Sequence, residues 1–384
     1  MRYRVTCLTP VLVGDGGRLS PIDYMVWKDQ VNVLDQTRIF RLLARGPRLD
    51  GYLAQLKRAE RLDFASWGGF AQNFAGRRIP FEHPSLTAHW ERARDESLNI
   101  PTFASGTRGP YLPGSALRGA LRTGMVFAGL KEGALERVAS LYGGDRPPRR
   151  PAEALEERAL GGRDSNRMRA VRASDSDPIS PSCLKVYLLR VASLRARGRG
   201  DSFELGWKQS PKGTAEGTRP SDGTPLFAEM AAPGTVFEGV WNEVEYFRQP
   251  DVMRALNWRG PLTREALFEA ANRYAAAQLE AHQRYVESTT LPLVRQSLRE
   301  LQDHMASIRE GGRACLLCLG WGGGVVAHVA WPNTDDPAYR AIIVQGKLFR
   351  SVYPGFPFPK TRRIVFLEDR PATLPGWVLF EVVE

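Results

Sequence analysis

Two arginines in one short stretch have the spacing to bind an anion. Arg118 and Arg122 lie four residues apart, so in a helix they project from one side. Pro113 and Gly114 interrupt the preceding segment, and the Ser115 hydroxyl can cap the helix that follows. A helix N-terminus with unpaired amide donors and nearby guanidinium groups can hold a phosphate chain. An amphipathic helix with solvated arginines fits the same spacing, so the stretch alone leaves both interpretations open.

Residues for metal or acid–base chemistry are sparse. Cys315 and Cys318 form a lone CxxC pair that lacks two further ligands at zinc-site spacing. In a strand the two side chains point to opposite faces, so we interpret them as buried thiols. None of the five histidines has a setting that marks it as a general acid or base. No metal ion or other cofactor is predicted from these residues.

Asp23 is the one acidic residue with a candidate enzymatic role. It follows Pro21 and Ile22, and no second acidic ligand is evident nearby. One carboxylate is not a magnesium site without substrate oxygens. We therefore favour a turn or strand-cap role, with metal-dependent chemistry as the alternative.

The composition favours an anionic partner. The 384 residues carry a formal net charge of +11, and 43% are hydrophobic, enough for a substantial core. Arginine supplies most of the positive charge, and its fork pairs with phosphate and stacks on bases, so nucleic acid is favoured. An anionic membrane would require a basic amphipathic or lipidated segment, and the sequence has neither.

The sequence also predicts the compartment. The N-terminal residues alternate like a strand and do not resemble a signal peptide, and no apolar run approaches the roughly 20 residues of a membrane span. Four cysteines in a chain of this length do not form a disulfide framework. We therefore expect a cytoplasmic protein.

Periodicity and capping signals predict the elements that must position the arginines. Alternation or short apolar runs predict strands at residues 3–8, 22–26, 30–34, 185–193, 236–247, 314–319, 325–329, 341–344, 363–367 and 377–383. Asp35 and Thr263 are expected to cap helices, the first of which ends at Leu43. Further helices are expected from Ser115 and over residues 291–308.

These elements predict an α+β fold of two ferredoxin-like (RRM-related) modules. The first domain is expected at residues 1–225, with a helical insertion at about 50–99 and a mobile basic arm at about 143–182; the second is expected at 226–384. Residues 196–225 are expected to form a disordered hairpin tip. The RRM aromatic signature is absent, so nucleic-acid contacts should come from loops and helix ends.

The stretch from Pro113 to Arg122 resembles the signature of the RAMP superfamily of CRISPR–Cas proteins. Four further segments resemble family motifs in the same order: an opening strand with a glycine turn, an internal motif, a late glycine-rich loop and a closing basic motif. They are residues 8–17, 171–176, 320–324 and 358–363. The best resemblance is to the type III-A (Csm) effector subunit at the 3′ end of the CRISPR RNA.

This resemblance implies a non-catalytic RNA-binding subunit of a ribonucleoprotein complex. It would cap the filament at the 3′ end of the CRISPR RNA (crRNA), aid crRNA maturation, and contribute indirectly to target RNA binding in antiviral defence. Its protein partners would be the repeated backbone subunit and the small subunit, with no membrane partner. The RNA-binding residues it implies are Gly14, Gly16, Gly114, Ser115, Arg118, Arg122, Arg172, Ser174, Gly322, Gly323, Lys360, Arg362 and Arg363.

Two alternatives remain open at this point. In the first, the chain resembles the repeated backbone subunit, and Asp23 supports cleavage of target RNA with Mg²⁺. In the second, the chain is a structural adaptor whose positive surface contacts an acidic protein.

Overall fold

The computed structural model of the chain describes residues 1–44, 46–58, 73–94, 97–142, 149–197, 202–210, 214–308, 312–333, 335–346 and 358–383. The strands of these residues are β1 (Arg2–Cys7), β2 (Arg18–Leu19), β3 (Tyr24–Val26), β4 (Gln30–Leu34), β5 (Ala75–Pro80), β6 (Ile100–Pro101), β7 (Ser105–Gly106), β8 (Gly109–Pro110), β9 (Val171–Ala173), β10 (Leu184–Arg197), β11 (Ser202–Trp207), β12 (Leu226–Ala231), β13 (Val236–Glu243), β14 (Ala314–Cys318), β15 (Thr361–Leu367), β16 (Arg370–Thr373) and β17 (Trp377–Val383). The helices are α1 (Gln36–Leu43), α2 (Leu49–Arg58), α3 (Leu86–Arg92), α4 (Gly114–Gly129), α5 (Ala134–Tyr142), α6 (Glu153–Leu160), α7 (Pro250–Ala255), α8 (Arg264–Glu287), α9 (Pro292–Ser307) and α10 (Pro337–Gln345).

The first sheet has the antiparallel strand order β14-β17-β1-β13-β9, so the N-terminal strand lies at its centre. Tyr3, Val5 and Cys7 alternate onto one face and are at most 1% exposed, as the period of two in a half-buried strand requires. This face shares a hydrophobic core with residues of α4 and α8. The sheet therefore supports α4, the helix that carries Arg118 and Arg122.

The second sheet is built around β10, a strand of 14 residues. Its order is β11-β10-β15-β16, and β12 pairs with the first part of β10. Leu189 packs into the same core as α4, whereas the adjacent Leu188 packs into a second core that includes residues of α8 and α9. Both faces of β10 are thus buried, which explains its nearly continuous apolar run.

A close helix crossing fixes α4 against α8. A Cβ atom added at Gly124 of α4 would lie 3.0 Å from the Cα atom of Ala271, so the small residues let the two backbones approach closely. None of the described helices combines the length and the apolar character that a helix needs to cross a bilayer.

The mixed α+β class predicted from the sequence is confirmed. Strands from both sides of residues 225 and 226 interleave in the two five-stranded sheets: β1 lies between β13 and β17, and β10 pairs with β15. The predicted domain boundary at this position stays a prediction.

Elements with explicit local signals form as predicted. The Asp35 side chain accepts a hydrogen bond from the Arg38 amide at 3.0 Å, and α1 ends at Leu43. The Thr263 hydroxyl accepts from the Ala266 amide at 3.2 Å and caps α8. The expected strands and the helix over 291–308 also form, within a few residues of their predicted ends and with two exceptions.

Those two expected strands are wrong. Residues 325–329 contain a 3₁₀ turn, and residues 341–344 lie inside α10, whose N-terminus is capped by the Asp336 carboxylate. Short apolar runs do not distinguish a strand from a buried helix turn, and this ambiguity produced both errors.

The predicted helical insertion at 50–99 is only partly correct. It contains α2 and α3, but β5 lies between them and pairs with β4. The two consecutive arginines of this strand, Arg77 and Arg78, obscure its alternation of polar and apolar residues, although Ile79 is 1% exposed.

The predicted mobile arm at 143–182 is ordered wherever it is described. Residues 143–148 lie outside the described residues, and the remainder forms α6, a 3₁₀ turn and β9. Leu160, Met168 and Val171 are at most 4% exposed and anchor the segment to the core that contains α4. The predicted disordered tip at 196–225 likewise contains β11, whose Trp207 is 1% exposed, although residues 198–201 and 211–213 are not described.

The two cysteines of the CxxC pair are buried thiols on opposite faces of β14, as predicted. Cys315 belongs to the core beneath α4, and Cys318 belongs to the second core. Burial raises the pKa of Cys315 well above its usual value and that of Cys318 to about 12, so neither is poised as a metal ligand.

Candidate nucleic-acid interface

The N-terminus of α4 is capped differently from the prediction. The helix begins at Gly114 after Pro113, and Ser115 lies exposed in its first turn, with no hydrogen bond from Ser115 to the helix amides among the described residues. The Gly114 amide instead donates to Oδ1 of Asp175 at 2.9 Å. The predicted Ser115 cap is therefore wrong, because the helix begins one residue before Ser115, with Pro113 at the N-cap position and Ser115 inside the first turn.

Gly114 brings two of the family-like motifs together. A Cβ atom at this position would lie 2.3 Å from the Ala173 carbonyl oxygen and 2.5 Å from that of Ser174. Ser174 extends the pairing with β13, because its amide donates to the Val240 carbonyl and its hydroxyl accepts from the Val240 amide, each at 2.9 Å. Gly114, which the resemblance implies to bind RNA, is thus closely approached by the chain's own backbone.

The early and late glycine loops are also adjacent. The Trp321 amide donates to the Leu12 carbonyl oxygen at 2.7 Å, and a Cβ atom at Gly320 would lie 2.0 Å from that oxygen. Gly14 and Gly16 are exposed in the early loop. Backbone hydrogen bonds from Ala104 to Val13 and from Tyr111 to Ala104 then continue from this loop towards α4. Four of the five motifs therefore form one connected assembly.

A basic cavity lies at one end of this assembly. Arg118, Arg169, Arg172, Ala173 and Phe247 line a volume of about 360 Å³, which we call the three-arginine cavity. Among the described residues, none of the three arginines forms an ion pair with a carboxylate. Arg118 donates from Nη2 to the Met168 carbonyl at 3.1 Å, and Arg172 is exposed on the edge strand β9.

Arg122 does not reach the three-arginine cavity. Its Nη2 forms an ion pair with the Glu156 carboxylate of α6, in a position where both side chains are about 40% exposed. Residues four apart share a helix side, but α6 packs beside α4 and separates the environments of Arg118 and Arg122.

A second basic cavity joins the late glycine loop to the closing basic motif. It encloses about 270 Å³, and we call it the glycine-loop cavity. Gly322 and Gly323 form one wall, while Lys208, Arg362 and Arg363 contribute the cations. The Arg363 guanidinium lies 4.7 Å from the centre of the Trp321 ring. The sequence had placed these two motifs in the same half of the chain, and the structure places them in contact.

Arg362 is an internal residue. It is 6% exposed, and it donates to Nδ1 of His282 at 3.0 Å and to the Pro359 carbonyl at 2.6 Å. Burial lowers the pKa of Arg362 to about 10. It can add positive potential to the glycine-loop cavity, whereas Lys360 and Arg363 of the same motif are half-buried. The Lys360 carbonyl accepts from the Leu194 amide at 2.8 Å, just before β15.

Asp23 takes part in a local turn. Its Oδ2 accepts from the Ser20 amide at 2.7 Å and from the Ser20 hydroxyl at 2.6 Å. In the part of the chain that the structure describes, no group of three or more His, Cys, Asp or Glu side chains is arranged to hold a metal ion.

The sequence missed several residues of these cavities. Arg169, Phe247 and Lys208 lie outside the recognised motifs, and only tertiary contacts bring them to Arg118, Arg172 and Gly322. The high density of arginine around residue 169 could have indicated an anion-binding residue there, whereas no local pattern in the sequence marks Phe247 or Lys208. A larger cavity of about 650 Å³ next to α8 includes Glu265 and Glu269 but none of the motif residues, so it is a poorer candidate for a polyanion.

Comparisons with known proteins agree with this arrangement. The family model of the RAMP superfamily matches residues 4–326. The chain is similar to a subunit in a cryo-electron microscopy structure of a type III-A Csm–crRNA–target RNA ternary complex, with a TM-score of 0.69, 23% identity and coverage of 99% of this chain and 100% of that chain. It is also similar to Csm5 of T. onnurineus, with a TM-score of 0.63, 19% identity and coverage of 98% and 99%. No curated protein sequence matches it.

Proposed function

This chain belongs to the RAMP superfamily, and we propose that it is an RNA-binding subunit of a type III-A (Csm) CRISPR–Cas complex. Its fold is that of a subunit from a Csm–crRNA–target RNA complex, which supports this assignment. In this role the RNA partners are crRNA and, indirectly, target RNA.

One observation carries the proposal. Four segments that are far apart in the sequence form a connected assembly, and cations without a described carboxylate partner line the cavities at its two ends. Such cations can bind the phosphates of RNA of any sequence, because phosphate contacts supply affinity without reading the bases. The cations lie on a helix, a 3₁₀ turn and two strands (Arg118, Arg169, and Arg172 with Arg363), so the expectation that RNA contacts come from loops and helix ends stays a prediction.

Within the complex we place the chain at the 3′ end of the crRNA, beside the repeated backbone subunit and the small subunit. The fold likeness to Csm5 over nearly the full length of both chains supports this position. There it would cap the filament, aid crRNA maturation and stabilise target RNA binding.

This placement can be tested by assembling the complex with and without the chain and digesting the bound crRNA with nuclease. We expect the 3′ part of the crRNA to lose protection when the chain is omitted, while the 5′ part stays protected. Unchanged protection at the 3′ part would contradict the placement, and protection lost only through missing protein neighbours would favour the adaptor role.

We further propose that the chain is not catalytic and needs no cofactor. The Asp23 carboxylate is engaged by Ser20 in a turn, which supports a structural role for it. The alternative is that Asp23 binds Mg²⁺ together with oxygens of the target RNA and supports cleavage.

Asp23→Asn separates these roles, because it keeps the size of the side chain and removes its charge. We expect the assembled complex with Mg²⁺ to give the same ladder of target RNA fragments with the wild-type and variant chains. Loss of one fragment from an otherwise intact ladder would establish the enzymatic alternative, provided that the variant complex still contains every subunit.

A further inference from the structure

The guanidinium plane of Arg169 is held in place at the border of the three-arginine cavity. Its Cζ lies 5.5 Å from the centre of the Phe247 ring, and its Nη1 donates to the Asp164 carbonyl at 2.6 Å. Trp258 stacks on Phe247 with ring centres 5.4 Å apart, and its indole nitrogen donates to the Ser165 carbonyl at 2.6 Å. The planar guanidinium of Arg169 is therefore held beside the stacked rings of Phe247 and Trp258, although it is exposed to solvent.

The charge of this cavity is not compensated within the described chain. Elsewhere on the same sheet, exposed arginines pair with carboxylates: Arg2 with Asp177, and Arg4 with Glu238. Around the cavity, the hydrogen bonds that Arg118 and Arg169 make to described residues go to backbone carbonyls, and Nε of Arg118 is buried without a hydrogen-bond partner among those residues. Three guanidinium groups that border one cavity repel each other, so an anion between them is favourable.

The cavity also has the size and surface of a nucleotide site. Its volume of about 360 Å³ falls within the ~300–1,000 Å³ of small-molecule pockets. Bases in single-stranded RNA stack on aromatic rings and on arginine planes. Tyr246, which is 58% exposed and packs edge-on against Phe247, extends the aromatic surface beside Arg169.

From these contacts we propose that the three-arginine cavity binds one unpaired nucleotide of the RNA, an inference that rests on the proposed function. The base stacks on the open side of the Arg169 guanidinium, and the phosphate contacts Arg118 and Arg172. A cavity for phosphate alone needs charge but no planar group supported by stacked rings. The cavity is therefore more than a stretch of phosphate-binding surface, although it reads no sequence through it, because every base has a stacking face.

The test compares two single-stranded RNAs of about ten nucleotides, one intact and one with abasic spacers in place of its nucleosides. Their dissociation constants are measured for the full chain and for Arg169→Lys, which keeps the charge but loses the plane. Arg254→Lys is the matched control, because Arg254 is exposed on α7 and borders neither basic cavity. Circular dichroism and thermal unfolding verify that both variants are folded.

We expect the wild-type chain and Arg254→Lys to prefer the intact RNA by at least about fivefold, the lower end of what one stacked base supplies. In Arg169→Lys the ratio of the two dissociation constants should be about fivefold smaller, while the salt dependence of its binding to intact RNA stays the same. Equal preferences in wild type and Arg169→Lys, or no preference in either, would overturn the nucleotide site and leave phosphate binding in place. Failure of the wild-type chain to bind intact RNA would reject the proposed function and the nucleotide site together.

Discussion

Adjacent arginines of the closing basic motif have opposite environments. Arg362 is buried and donates to His282, whereas Arg363 lies over Trp321 at the glycine-loop cavity. Both belong to β15 and border the cavity, but consecutive residues of a strand point to opposite faces, and the Arg362 guanidinium already donates to His282 and to the Pro359 carbonyl. A cluster of cations in the sequence therefore overstates the number that a ligand can touch.

Arg122 of α4 and Arg172 of β9 allow a matched prediction, because Arg122 has a carboxylate partner and Arg172 has none among the described residues. For Arg172→Ala we expect weaker binding to single-stranded RNA. The logarithm of its association constant should fall less steeply with the logarithm of the salt concentration, with a slope about 0.7 smaller in magnitude for one lost phosphate contact. For Arg122→Ala we expect an unchanged slope, because its guanidinium already pairs with Glu156. Titrations at several salt concentrations measure both slopes.

Equal slopes for the two variants would contradict the assignment of the three-arginine cavity to phosphate. Asp177→Asn serves as a charge control, since it removes a carboxylate on the neighbouring surface without touching either cavity.

The cysteines give a second prediction at this scale. Burial raises the pKa of Cys7 and Cys318 to about 12 and that of Cys315 well above its usual value, and the thiolate is the reactive form. Near pH 8 we expect a thiol reagent to modify only the half-buried Cys183 in the folded chain, and all four cysteines after denaturation. Mass spectrometry of the labelled peptides checks this. Rapid labelling of Cys315 or Cys318 under native conditions would show that β14 is not buried as described.

At the scale of elements, α4 depends on its contact with residues 171–176. Gly114 is enclosed by the carbonyl oxygens of Ala173 and Ser174, and its amide binds Asp175. This contact holds β9, and with it Arg172, beside the first turns of α4. The helix terminus thus organises the cavity by packing and by its cap, rather than by binding RNA with its own amides.

Alanine substitutions at two glycines of α4, one at this contact and one away from it, provide a matched test of the contact. Gly114→Ala should lower the free energy of unfolding by about 2–3 kcal/mol, because its Cβ atom would overlap two carbonyl oxygens. Gly119→Ala should raise it by about 0.5–1 kcal/mol, because that position is open and alanine favours a helix. Chemical denaturation of both variants provides the comparison. Similar stabilities would mean that α4 does not approach residues 171–176 this closely.

Element prediction from the sequence succeeded where a signal was local. The caps at Asp35 and Thr263 gave correct helix starts because the side chain and the backbone it caps are neighbours. It failed where packing decides the outcome. Residues 149–182 look polar and mobile in sequence, yet a few buried residues such as Met168 and Val171 hold them to the core.

For the whole molecule, long-range pairing explains what the sequence could not supply. The N-terminal strand lies between β13 and β17, so residues near opposite ends of the chain share a sheet. Motif order therefore predicted the family and the mixed fold, but not which cations meet. Arg169 reaches Phe247, and Lys208 reaches the late glycine loop, only after both sheets have formed.

The same scale explains how a basic chain can be selective for its partner. Several exposed arginines pair with carboxylates, and such pairs contribute nothing to the net charge of +11, so this excess comes from cations without a carboxylate partner. The two cavities are lined by such cations and are joined through the motif loops. We expect RNA to bind along the surface that runs from one basic cavity to the other, rather than to cover the protein surface evenly.

Ultraviolet crosslinking of the native assembly tests the central claim most directly, with the linked peptides and nucleotides identified by mass spectrometry and sequencing. We predict links between the 3′ part of the crRNA and peptides that contain Arg169, Tyr246 or Trp321, and none to the peptide that contains Asp303 of α9, which borders neither cavity. Links from this chain only to the 5′ part of the crRNA would contradict the account. The same holds if it forms no links while the other subunits of the assembly do.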